Sequence, residues 1–119
     1  MSQWEFDFSY NGAKLTDWER FKFIHKDRPQ IYEVFTTTSL DFIDRGIKRY
    51  SAYGVMHIVR WRIFIPGVDM RPPEDFKISD HMTPFYARLF LRDNPKYEEF
   101  FQTKEIRLQG FQEEWINQI

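Results

Sequence analysis

At 119 residues and 14.7 kDa the chain has the length of one ordinary domain, enough to bury a single core without a disulfide or structural metal. It contains no cysteine, which excludes disulfides, thiolate nucleophiles and cysteine-bearing zinc sites, and fits a reducing cytoplasm. The net charge of -1 gives no overall field toward a polyanion or a membrane, so any nucleic-acid binding must come from a local patch.

The aromatic share of 19%, with 13 Phe, 6 Tyr and 4 Trp, predicts a core built largely from rings and argues against disorder. No signal-like apolar run follows Met1, and no stretch approaches the roughly 20 apolar residues of a membrane span. The expected architecture is a mostly α (α+β) single domain over 1–119. It divides into a strand or tail over 1–12, a helical body over 16–108 and a docking helix over 110–119.

The first segment alternates, with Trp4, Phe6, Phe8 and Tyr10 on one side and Gln3, Glu5, Asp7 and Ser9 on the other, a strand pattern closed by Asn11-Gly12. A second extended run, with Ile106 and Leu108 between charged or polar neighbours, could pair with it as a small terminal sheet. Thr16 with Glu19 forms a capping-box signature opening a helix near 17–26. Pro29 opens the next helix, 29–44, with Ile31, Phe35 and Phe42 or Ile43 on its apolar face and Gly46 beyond its end. Thr36, Thr37 and Thr38 weaken its intrinsic preference, because β-branching restricts rotamers.

Ser51 precedes a helix over 51–64 in which Ala52, Val55, Met56, Val59 and Ile63 recur at helical spacing, while Ile58 and Trp61 widen the apolar face. This reads as the central core helix, with His57 as a hydrogen-bonded core residue. A proline-rich loop over 66–78 follows. Thr83 as cap and Pro84 at the first helical position then open a helix over 84–93, packing Phe85, Tyr86, Leu89, Phe90 and Leu91. After Asn94-Pro95, Tyr97, Phe100 and Phe101 point inward. Phe111, Trp115 and Ile119 share one face of a terminal helix that docks on the body.

Two cationic features stand out. His81, Pro84, Arg88 and Arg92 fall on one side of a helix of 3.6 residues per turn, opposite its aromatic sides. Such a stripe suits a phosphate chain or a partner, although the solvated side of an amphipathic helix has the same pattern. Residues 45–62 contain Arg45, Lys48, Arg49, Arg60 and Arg62 and no acid, with Tyr50 and Tyr53 available for stacking or sugar contacts. The helices 29–44, 51–64 and 84–93 would form a three-helix, helix-turn-helix-like unit whose last helix enters a major groove. Ser79, Asp80, His81 and Thr83 would then lie at its tip. The expected nucleic-acid contacts are Arg45, Lys48, Arg49, Arg62, Ser79, His81, Thr83, Arg88 and Arg92. The alternative is a protein-binding inhibitor or adaptor acting on a host protein complex through the aromatic termini, Trp4, Phe6 and Phe8, or through the same arginine face.

Catalysis is not expected. The three histidines form no metal-binding pair, nothing marks a nucleophile elbow, and the five glycines are too scattered to cradle a phosphate. No metal or cofactor is implied.

Arg60-Trp61, Phe76-Lys77-Ile78, Tyr86-Ala87-Arg88, Pro95 and Phe100-Phe101, spread over about residues 24–108, resemble a pattern found in a group of small phage and prophage proteins of no assigned activity. In that pattern a Glu stands at the place of His57, an asparagine run at Ser79-Asp80-His81 and an Arg at Lys104. The resemblance implies a phage-type context and no activity. Asp80 in place of an asparagine would repel a phosphate.

Overall fold

The computed structural model describes residues 9–10, 13–64, 79–102 and 112–119. Among these the fold is mostly helical. Helix α1 spans Asp17–Asp27, α2 Gln30–Asp44, α3 Ala52–Phe64 and α4 Thr83–Asp93. Short 3-10 turns cover Asp80–Met82, Pro95–Tyr97 and Glu113–Gln118. Strands β1 (Ser9–Tyr10) and β2 (Ala13–Lys14) pair antiparallel with Ser9 opposite Lys14. The sheet expected between the termini finds no support: 4–8 and 105–109, like the loop 66–78 and Phe111, lie outside the described residues.

Local chemistry sets each boundary. Thr16 Oγ1 accepts from Glu19 N at 3.2 Å while Thr16 N donates to Glu19 Oε1 at 3.1 Å, so two donors that the first turn of α1 leaves unpaired are satisfied. These bonds hold the Glu19 carboxyl below the usual carboxylate range. In α2 the hydroxyl-rich run folds back on the preceding turn, with Thr37 Oγ1 donating to Glu33 O at 2.9 Å and Ser39 Oγ to Phe35 O at 2.8 Å. That helix ends in a Schellman arrangement. Gly46 turns left-handed at φ 91, its N–H reaches Ile43 O at 3.0 Å, and Ile47 N–H reaches Phe42 O at 3.1 Å. Ser51 Oγ caps α3 by accepting from Gly54 N at 3.3 Å.

The core is aromatic. Trp18, Phe21 and Ile24 of α1, Ile31 and Phe35 of α2, and Val55, Met56 and Val59 of α3 all turn toward α4, which buries Phe85, Tyr86, Ala87, Leu89 and Phe90. Phe21 meets Phe85 at 5.1 Å and the edge of Tyr86 at 4.8 Å, and Phe101 meets Phe35 and Phe90 at 5.5 and 5.4 Å. The C-terminal turn docks beside them, burying Ile116 and setting Trp115 5.8 Å from Trp18. Helix α4 packs on α2, on α3 and on all three 3-10 turns.

Two expectations about burial are overturned. Helix α3 is not the enclosed one: His57 is exposed, Tyr53 and Trp61 keep 53% and 57% of their surface in solvent, and α4 takes the central place. Thr83 is not the cap of α4. It is that helix's first residue and fully buried, while Ser79 caps the preceding turn by accepting from His81 N at 3.2 Å.

Candidate functional site

The cations singled out in the sequence divide into held and free. Arg92, only 26% exposed, reaches Asp93 Oδ1 at 2.7 Å, and its Nη1 donates to the main-chain oxygens of Ile116 and Ile119, the latter at 2.7 Å. It ties the C-terminal turn to α4. Arg88 is half-buried with its Nε shielded from solvent, and its side chain is engaged. Arg62 bridges α3 to α2 through Asp41 Oδ2 at 3.0 Å and Thr38 Oγ1 at 3.3 Å. Arg60 Nη2 meets Asp80 Oδ1 at 2.7 Å. Asp41 serves Arg62 first and Arg45 second, and together they hold its carboxyl below the usual range.

Of the tip expected at a major groove, Ser79, Asp80 and His81 are exposed and Thr83 is enclosed. Thr83 is sealed, Ser79 is spent on its own turn and Asp80 is paired with Arg60. His81 stands exposed with Nδ1 3.9 Å from Asp17 Oδ2. Within α4 every residue is buried or half-buried except Asp93, whose side chain is 38% exposed, so this helix offers less outward surface than a groove-reading helix needs. The pattern expected from Arg88 and Arg92 belongs to packing.

A different surface is free. The connection from α2 to α3 carries Arg45, 71% exposed and only leaning on Asp41 at 3.4 Å, then Lys48 and Arg49, both exposed with no partner among the described residues. Tyr50 follows, 40% exposed and pinned on three sides. Its N–H donates to Phe100 O at 3.1 Å, its ring meets Phe42 in an edge-to-face contact at 4.8 Å, and its Cε1 lies close over Gly54. Tyr53, His57 and Trp61 then recur every fourth residue along the outside of α3, each turned about 40° from the last. From residue 45 to 64 there is no carboxylate.

A groove of about 360 Å³ between Arg49, Tyr50, Tyr53, Phe100 and Gln102 opens at the start of this ladder. On the other side of the connection a hollow of about 450 Å³ mixes Lys48 and Lys96 with Glu98 and Glu99, so of Lys48 and Arg49 only Arg49 lines the α3-side groove. Sequence reasoning marked Tyr50 and Tyr53 but placed His57 and Trp61 in the core. The spacing Tyr53, His57, Trp61 was the signal available for them.

Trp4, Phe6 and Phe8 lie outside the described residues. Among the described residues no group of three His, Asp or Glu side chains is placed to hold a metal, and no helix is long and apolar enough to cross a membrane. Comparison with family models, with curated proteins and with solved structures gives no match for this chain.

Proposed function

We propose that the chain is a small phage-type accessory protein, not an enzyme and without a cofactor, that holds nucleic acid in the host cytoplasm on the surface formed by residues 45–53 and the outer side of α3. One observation carries this reading: Arg49, without a partner among the described residues, lines a groove with the exposed rings of Tyr50 and Tyr53, Trp61 follows two turns on along α3, and residues 45–64 hold no acid. The three-helix, helix-turn-helix-like unit is kept in altered form. Helices α2, α3 and α4 pack on one another, and of the three it is α3 that carries exposed aromatic rings.

The test is binding of duplex and single-stranded nucleic acid across a salt series. With Arg45, Lys48 and Arg49 as the phosphate contacts, the slope of log K against log salt is about -2 to -3. The double variant Lys48→Glu/Arg49→Glu flattens it. Absence of binding at low salt would overturn the reading.

A second reading is favoured by the same rings. Exposed Trp and Tyr beside an arginine are the composition of protein hot spots, and the surface would then belong to a host protein engaged by an inhibitor or adaptor. Crosslinking from position 53 or 61 to a single host protein, with no affinity for nucleic acid, would establish it.

A further inference from the structure

We infer that the aromatic ladder on α3 takes a single strand of nucleic acid, with unpaired bases stacked on its rings and the adjoining phosphates on Lys48 and Arg49. This deepens the nucleic-acid reading above and rests on it.

The argument begins with what the ladder offers. Tyr53, His57 and Trp61 follow one another at about 6 Å of helix rise, so the first and last stand about 12 Å apart along one side of α3. Tyr50 extends the row beyond the start of the helix, already fixed by Phe42, Gly54 and the Phe100 carbonyl, so little freedom is lost when a base lands on it. These rings leave much of their surface in solvent: Tyr53 and Trp61 are more than half exposed.

A duplex cannot use such a surface. Its bases are stacked on one another and turn only their edges into the grooves, whereas every unpaired base has a free π-face. With one base on each exposed ring the ladder, together with Tyr50, takes roughly three to four bases, the low end of single-strand site sizes. Charge is complementary at the end where the chain enters α3, because Lys48 and Arg49 have no partner among the described residues and Arg49 lines the groove beside Tyr50 and Tyr53, away from the Glu98 and Glu99 that share a hollow with Lys48. Three cations alone would hold a duplex only weakly, so stacking must supply the remainder of the affinity. Because stacking on rings is tolerant of base identity, strands of DNA and RNA are held alike and with little sequence preference.

The experiment measures fluorescence anisotropy of labelled thymidine and uridine homopolymers of about 20 nucleotides, and of a duplex of the same length, against the full chain at low and moderate salt. The expected result is that both strands bind about tenfold or more tightly than the duplex. Trp61→Ala and Tyr53→Ala each weaken strand binding about five- to hundredfold, while Trp61→Phe, which keeps a ring, retains most of it. Both positions, 53 and 61, are on the surface, and circular dichroism checks that the three variants stay folded. Duplex bound as tightly as the strands, with Trp61→Ala indifferent, overturns the single-strand inference and leaves the nucleic-acid reading standing. Failure to bind any of the three at low salt overturns both.

Discussion

Tyr50 and Gly54 are fitted to each other: a Cβ on Gly54 would lie 2.7 Å from Tyr50 Cε1. Glycine costs a helix about 1 kcal/mol relative to alanine, and here that cost leaves room for a ring laid across the first turn of α3. Gly54→Ala therefore gains helix propensity and displaces Tyr50 from its edge contact with Phe42, a contact itself of about 1 kcal/mol. The expected net change in stability is small, with loss of the Tyr50–Phe42 contact by NMR. In a Tyr50→Ala background the same substitution should stabilise by about 1 kcal/mol, because nothing is left to displace. No gain in that background would mean that the glycine is there for another reason.

Where a feature was fixed by neighbours in sequence, it could be read in advance. The Thr16–Glu19 box, Pro29 at the start of α2 and the left-handed Gly46 each follow from the bonding needs of three or four adjacent residues. Burial of α3 and α4 could not be read that way. Val55, Met56, Ile58, Val59, Trp61 and Ile63 are spread around α3, so periodicity alone does not say which are left outside. Arg88 and Arg92 mimic a solvated stripe because the oxygens that hold Arg92 come from residues 24 and 27 positions further on. The free cations were visible as a charge run, but the pairing of Arg60 and Arg62 with Asp80 and Asp41, about twenty residues away, was not.

Arg92 separates stability from binding. Its guanidinium holds two main-chain oxygens of the C-terminal segment and the Asp93 carboxylate, bonds to a charged group of the kind whose loss costs about 2–3 kcal/mol. Arg92→Ala should lower the denaturation midpoint and loosen Trp115 from Trp18, visible as a change in tryptophan fluorescence. Nucleic-acid affinity at a temperature where the variant remains folded should be unchanged. A selective loss of affinity would return α4 to the binding surface.

Two tyrosines make the fold sensitive to alkali. Burial, then the hydrogen bond to Asp93 at 2.6 Å and the charge of that carboxylate, push the Tyr32 phenol well above its ordinary value, and burial alone does the same for Tyr86. In the unfolded chain both ionise near pH 10. Above that pH the unfolded state releases protons that the native state keeps, so stability falls with a steepness of up to about two protons. Tyr32→Phe should cut the steepness to about one and cost about 1 kcal/mol at neutral pH through the lost bond to Asp93. Denaturant midpoints at neutral and alkaline pH measure both. Retention of the full alkaline slope by the variant would assign it elsewhere.

His25 controls the acid side. It stacks on Phe21 of α1 at 5.6 Å and 4°, and meets the rings of Tyr32 from α2 and Tyr86 from α4 edge-on. Burial among these rings, then the charge of Arg92, disfavours its imidazolium, and Asp93 offsets this only in part, so its pKa is lowered. An unfolded histidine takes up its proton near pH 6.5, before His25 does in the native state. Stability is therefore full above about pH 6.5, declines as pH drops toward the native pKa, and stops declining once both states are protonated. His25→Gln keeps a polar side chain but cannot titrate. Its urea midpoint should change less between about pH 7.5 and 5.5 than that of the unaltered chain, and an acid limb undiminished in the variant would show that another group takes up the proton.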